Sequence, residues 1–302
     1  MRIRLEQFRQ ARRIHGGLMG LWGAALGVRI SRFPIPPSLR ESVYRRVYGG
    51  KYDAIDESEL EKPFSEYRSI NELFTRGLRP ERRPLANNAD RCFTAPCDGT
   101  VQMVGRISHE TVMTAKEIPY QLSSLAPKTD IGCFTNGRFV VLFLSPRDCH
   151  RVFSPQNGTL EAVTHVPGYR LLVHPPYQRD EFPVFTLNER LIMEFRTELG
   201  RCLVIMIAGW GVGHITYPFV TGLVPHGRQI THQALNPSRL IASGDWIATF
   251  ELGSTVILIT EPHDLDGTPL APVVQCGQGL HYGESVLEPV DGTAEQQEGL
   301  LQ

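Results

Sequence analysis

Three short stretches of the chain set nucleophilic or titratable side chains where a strand meets a turn. The first is FELGSTVILIT, residues 250–260. Phe250, Val256, Ile257 and Ile259 are strand formers, yet Gly253 and Ser254 interrupt the run. A bulge accounts for such a pair. So does a reactive peptide bond, in which the Ser254 hydroxyl attacks the carbonyl carbon of Gly253 and turns the amide into an ester. Glycine tolerates the bent backbone this needs and puts no side chain in the nucleophile's way. Elimination of the ester leaves dehydroalanine, which hydrolyses to a pyruvoyl group and ammonia. The outcome is two chains, one ending at Gly253 and one starting at the modified Ser254.

The second stretch is FVVLFLSPRDCHRVFSP, residues 139–155. An apolar strand runs into Pro146 and then presents Arg147, Asp148, His150 and Arg151 together. A rigid strand end that delivers several ionisable groups is a usual place for function. A histidine there also serves structure, so His150 alone decides nothing. The third is Asp98 in APCDGTV, residues 95–101, where Asp-Gly is also an ordinary turn pair.

These residues need elements to hold them. From Cys92 onward, short β-rich runs alternate with Gly, Pro, Asn and Asp, which predicts a sheet-rich sandwich or barrel. APCDGTV and SPQNGTL (154–160) echo each other, each a tight turn feeding a strand. Ahead of this region, apolar positions Ile3, Phe8, Ala11, Ile14, Leu18, Leu21 or Trp22, and Ala25 fit an amphipathic helix over 2–26. A second helix is expected over about 39–48, and a third in SINELFTRGL with Ser69 as its cap. The predicted class is therefore α+β, a mainly antiparallel β sandwich or barrel-like core behind N-terminal amphipathic helices. The expected division is 1–65 helical and membrane-associating, 66–288 catalytic, and 289–302 a flexible tail.

The 302 residues carry a net charge of -1, which by itself excludes little. Its distribution says more. Ten arginines fall within residues 1–50, opposed only by Glu6 and Glu41. That asymmetry predicts an anionic surface as partner. A bilayer fits better than nucleic acid, because the aromatic interleaving of single-strand binders is missing. The six cysteines form no C-x-x-C pair, so neither a zinc site nor a redox dithiol is expected. No apolar run approaches the roughly 18–20 residues that cross a bilayer. GWGVG at 209–213 is weak evidence for a dinucleotide site, because a β-rich stretch with a proline follows it rather than a helix.

Taken together, the motifs resemble the phosphatidylserine decarboxylase proenzyme family. FELGSTVI is similar to that family's Leu-Gly-Ser-Thr self-cleavage motif, LSPRDCHRVFSP to its Leu-Ser-Pro-Arg-Asp-x-His-Arg segment, and APCDGTV to its Pro-x-Asp-Gly segment. SINELFTRGLRPERRPL and FPVFTLNER resemble two further stretches, and the order is shared from Ser69 to Thr260. The resemblance implies pyruvoyl-dependent decarboxylation of phosphatidylserine to phosphatidylethanolamine, the pyruvoyl coming from Ser254. It implies Ser254, Asp98 and His150 as catalytic residues, no metal, a homodimer of two-chain protomers, and a peripheral place on the cytoplasmic face of a membrane. In that reading Asp98 is a charge-relay aspartate and His150 handles substrate or a proton.

One position departs. Where the resemblance implies a second histidine as charge-relay base, this chain has Phe153, and a phenyl ring accepts no proton. Three readings follow. His150 serves as the base itself; His214 or His165 reaches the site from a neighbouring strand; or the chain is a homologue that binds lipid but does not process.

Overall fold

The computed structural model describes residues 26–49, 54–108, 111–113, 118–173, 183–209, 215–217, 229–251 and 254–290. The helix expected over 2–26 and the tail after 290 lie almost wholly outside these residues. So do His214, Gly253 and most of the glycine run at 209–213. Residues 26–31 are helical. Helix α1, Pro37–Tyr48, starts two residues earlier than expected, because Pro37 sits in its first turn, where a missing N–H costs nothing. Helix α2, Ile70–Phe74, is capped by the Ser69 side chain, which accepts from the Glu72 N–H as the sequence predicts.

The strands then follow in order: β1 (Phe93–Thr94), β2 (Gly99–Arg106), β3 (Thr111–Met113), β4 (Pro119–Gln121), β5 (Arg138–Leu144), β6 (Arg151–Phe153), β7 (Gly158–Val166), β8 (Arg190–Thr197), β9 (Gly200–Ala208), β10 (Ile215–Thr216), β11 (Thr231–Ile241), β12 (Trp246–Phe250), β13 (Ser254–Thr260), β14 (Leu270–Pro272), β15 (Gly279–Leu280) and β16 (Ser285–Pro289). Two short helices intervene, α3 (Leu122–Leu125) and α4 (Val184–Leu187).

Eight strands make one large sheet in the order β11-β7-β8-β9-β13-β5-β2-β15, antiparallel at every pairing. Two three-stranded sheets, β1-β16-β14 and β10-β12-β6, stand apart from it. The sheets stay open, so the core is a sandwich and no barrel closes among the described residues.

Strand β13 is central and buried along its whole length. Side chains alternate across a strand. Val256 and Leu258 enter the core shared with the small sheets, beside Val152, Ala248 and Phe250. Ile257 and Ile259 face the other way, into a core closed by Leu122, Leu125 and Phe185 of the short helices. Burial on both faces is why STVILIT reads as a continuous apolar run rather than an alternating one. A third cluster ties α1 and α2 to the domain: Tyr44, Tyr48, Phe64 and Phe74 pack with Cys149, Phe153 and Tyr282. The echo in the sequence is real in the fold, since both turns feed strands, at Gly99 and Gly158. At Gly99 an added Cβ would lie 2.5 Å from the Phe143 carbonyl oxygen, so only glycine lets β2 approach β5 there.

Candidate active site

Ser254 is the first residue of β13, paired with Leu144 on one side and Ala208 on the other. Four residues earlier, Phe250 ends β12 in a small sheet, paired with Ile215. The chain therefore passes from one layer to the other just ahead of Ser254. The run expected as one strand is split: Phe250 ends β12 in one sheet and Ser254 begins β13 in another, while Gly253 lies outside the described residues. Ser254 is fully buried, and its Oγ has no hydrogen-bond partner among the described residues. Ser145, which follows Ser254's partner Leu144, also has an unpartnered buried hydroxyl, as does Thr255. A buried polar atom left unpaired costs about 1–3 kcal/mol. A buried hydroxyl left unpaired, as at Ser254, calls for a reason.

His150 lies between β5 and β6. Its carbonyl accepts the Phe250 N–H at 2.9 Å, which fastens it to the strand leading into Ser254. Its ring is fully buried and 3.8 Å, centroid to centroid, from that of Phe74. Nδ1 is 2.9 Å from the Asp148 carbonyl oxygen. A carbonyl can only accept, so Nδ1 carries the hydrogen and Nε2 presents a lone pair. That Nε2 has no partner among the described residues. Burial pushes the His150 pKa from 6.5 down to about 3; the Arg76 charge adds to the effect and the Asp148 bond opposes it. His150 is thus a neutral imidazole in the tautomer of a base. Arg76 shapes this loop as well, donating from one guanidinium nitrogen to the carbonyls of Arg147 and Asp148.

Asp98 sits just before β2, two strands from Ser254 through β5. At the usual strand spacing the two backbones are roughly 10 Å apart. Its carboxylate accepts from Arg83 at 2.8 Å and from the Tyr282 N–H at 2.9 Å. Arg83 also binds Glu59 through two bonds of 2.9 Å, and this partner pulls the Glu59 pKa down. Among the described residues no histidine bonds Asp98. Phe153 fills the space instead, stacked on Tyr282 at 3.7 Å between ring centroids.

The alternative bases fare differently. His165 lies on β7, three strands from β13, roughly 14 Å across the sheet. Its Nε2 is 2.9 Å from Glu189, which also holds Arg170 at 2.8 Å. The structure does not bring His165 to Ser254. His214 lies outside the described residues. Of the histidines singled out in the sequence, His150 is the one seen fastened beside the β12–β13 crossover. Arg83 and Arg76 had been given no role, although both stand in SINELFTRGLRPERRPL at positions shared with the resembled family.

A sequence model of the phosphatidylserine decarboxylase family matches residues 70–288. The chain belongs to this family. It is similar to the phosphatidylserine decarboxylase proenzyme of Brevibacillus brevis, 32% identical over 267 residues that make up 87% of this chain and 92% of the relative. The proenzyme of Anaeromyxobacter sp. strain K is 33% identical over 272 residues, 87% of this chain and 90% of its own. That of Blochmanniella pennsylvanica is 33% identical over 247 residues, 76% and 83% respectively. Membership makes the chain an enzyme, a decarboxylase of the carboxy-lyase class. The match opens at the first residue of α2 and ends within β16, so the phosphatidylserine decarboxylase core takes in every strand of the three main sheets.

Proposed function

We propose that the chain cleaves itself between Gly253 and Ser254, carries a pyruvoyl group made from Ser254, and decarboxylates phosphatidylserine to phosphatidylethanolamine. The observation that carries this reading is that Ser254, at the start of β13, and His150, whose carbonyl holds Phe250 at the end of β12, each bury a side-chain polar atom without a partner among the described residues. Family membership and the relatives' names as proenzymes support it.

In self-cleavage His150 Nε2 accepts the Ser254 hydroxyl proton as Oγ attacks the Gly253 carbonyl carbon. The C–N bond breaks, and His150 returns the proton to the departing nitrogen. Loss of the Ser254 α-proton then expels the Gly253 carboxylate. Val256, Ala208 and Leu144 keep water away from the Ser254 side of the sheet. Asp98, neutralised by Arg83, holds the turn into β2 in place and acts as a positioning residue in this chain.

The residues present suit a pyruvoyl group: the Ser254 position is buried, faces an apolar core and has no competing side-chain bond. A pyruvoyl group held there would supply a carbonyl for the substrate amine and an electron sink for loss of carbon dioxide. His150 Nε2 is the proposed carrier of the proton: its lone pair takes one that the substrate ammonium gives up on binding and passes it to the former α-carbon.

We place the enzyme on an anionic bilayer. Leu26, Ile30, Phe33 and Leu39 are more than half exposed, and Arg29, Arg32 and Arg40 stand among them. Apolar side chains interleaved with arginines suit an interface of acyl chains and anionic headgroups. Among the described residues no helix is long and apolar enough to cross a membrane.

The test is release of carbon dioxide from carboxyl-labelled phosphatidylserine in mixed vesicles. The full chain is expected to release it and Ser254→Ala to release none. Equal release from both would overturn the proposal. A second reading, a homologue that binds lipid without processing, has one observation in its favour, the replacement of a relay histidine by the Phe153–Tyr282 stack. Lipid binding without carbon dioxide release would select it.

A further inference from the structure

Helix α2 ends at Phe74, and the short stretch from Phe74 to Arg76 meets each residue from Arg147 to Arg151. The Phe74 ring lies 3.8 Å from the His150 ring, centroid to centroid. The Thr75 carbonyl accepts from Arg151 Nε at 3.4 Å. The Arg76 carbonyl accepts from the Cys149 thiol at 3.7 Å. Arg76 Nη2 donates to the carbonyl of Arg147 and, at 3.3 Å, to that of Asp148.

The Asp148 carbonyl takes two donors, Arg76 Nη2 at 3.3 Å and His150 Nδ1 at 2.9 Å. Arg76 therefore holds the same oxygen that keeps the hydrogen on Nδ1 and leaves Nε2 bare. Arg76 is itself buried, 3% exposed, and its Nη1 donates to the Leu73 carbonyl at 3.4 Å. Among the described residues its side chain bonds carbonyls alone and no carboxylate, so its charge stands uncompensated beside the imidazole. That charge opposes a proton on His150. The other ionisable groups nearby do not cancel it. Burial pushes the Cys149 thiol up to about 12 and raises the Tyr48 phenol, so both stay neutral. The Asp148 carboxylate turns to the Ser145 N–H at 2.6 Å, and Arg151 to Glu61 at 3.2 Å.

We propose that Arg76 is a positioning residue for His150, holding the Asp148 carbonyl and a fixed positive charge beside the ring so that the imidazole stays neutral with Nε2 bare. Arg76 acts through His150. The proposal deepens the self-cleavage reading and rests on it. Both carbonyl bonds to the loop leave from one nitrogen of Arg76. A lysine ammonium, a compact charge with three donors, suits that place. Glutamine brings no charge to it.

The experiment reads the His150 ring by nitrogen NMR at pH 7 in the full chain carrying Ser254→Ala, with His150→Asn to assign its signals. One tautomer, Nδ1–H, is expected in that chain and with Arg76→Lys added, and a mixture of the two tautomers with Arg76→Gln. An unchanged tautomer with glutamine overturns the proposal. A companion measurement follows the cleavage time course with Ser254 intact. Arg76→Gln is expected to slow it about tenfold, as the loss of one charged hydrogen bond would, and Arg76→Lys to stay within about threefold of the unaltered chain. A glutamine variant as fast as the unaltered chain overturns the proposal. So does a lysine variant as slow as glutamine, which would assign Arg76 a merely structural part. If the glutamine variant does not fold, lysine decides alone: mixed tautomers or a tenfold loss of rate overturn the proposal. An unaltered chain that never divides overturns the self-cleavage reading, while the NMR arm, run without Ser254, still decides whether Arg76 holds His150.

Discussion

His150 binds no proton in the folded chain until the pH nears 3, whereas the unfolded chain protonates it near 6.5. Between those values the unfolded state holds the extra proton, so the stability due to this group is complete above about 6.5 and is lost as the pH falls toward 3. The slope is about 1.4 kcal/mol per pH unit. With Ser254→Ala as background, urea unfolding between pH 4.5 and 6.5 is expected to show this share, and His150→Asn to remove it. Identical slopes would mean that His150 is not buried as described. Phe153 has a different part. It stacks on Tyr282 and performs no proton transfer, so Phe153→Leu is expected to leave the cleavage rate within about threefold while Phe153→Ala costs about 3 kcal/mol of stability. Arrest of cleavage by leucine would contradict that assignment. Ser254, His150 and Asp98 were legible because residue type and spacing carry their chemistry. Their partners were not: Arg83 lies 15 positions from Asp98 and 24 from Glu59, and nothing local in the sequence pairs them.

At the scale of elements, Arg83 joins the turn around Glu59 to the turn that enters β2. Its side chain and that of Asp98 are each 4% exposed. Removing one partner of a buried pair leaves the other charged and dry, at about 3–5 kcal/mol. Arg83→Ala should lose about that much in chemical denaturation, and a loss under about 1 kcal/mol would show that the pair is not buried. The elements themselves were partly readable. The Ser69 cap, the apolar strands and the sheet-rich class follow from local chemistry. Helices α3 and α4 were not foreseen, because four residues are too few to show a helical period. Nor was the sheet order, since β13 lies between β5 and β9, more than a hundred and about fifty residues earlier in the chain. The split of FELGSTVILIT between two sheets is also a tertiary fact: the run before the glycine and the run after it look alike in sequence.

Over the whole molecule, charge and apolar exposure are uneven. Ten of the arginines crowd into the first fifty residues, and the exposed Leu26, Ile30 and Phe33 lie on the same segment. Deleting residues 1–30 is expected to release the protein from phosphatidylserine vesicles in a sedimentation assay, and raising salt from 0.05 to 0.5 M to weaken binding of the full chain, since the Debye length shrinks from about 14 to about 4 Å. Binding indifferent to both would contradict a bilayer-facing N-terminal region. The charge imbalance was plain in the sequence; the ion pair of Arg32 with Glu251 was not. The central claim is that this chain divides at Ser254 with His150 as its base. The most direct test is the intact mass of the purified protein beside that of His150→Ala. The account predicts two species for the unaltered chain, one ending at Gly253 and one lighter by ammonia than a serine-ended fragment, and a single whole chain for His150→Ala. A single whole chain for both, or the same two fragments from both, would contradict it.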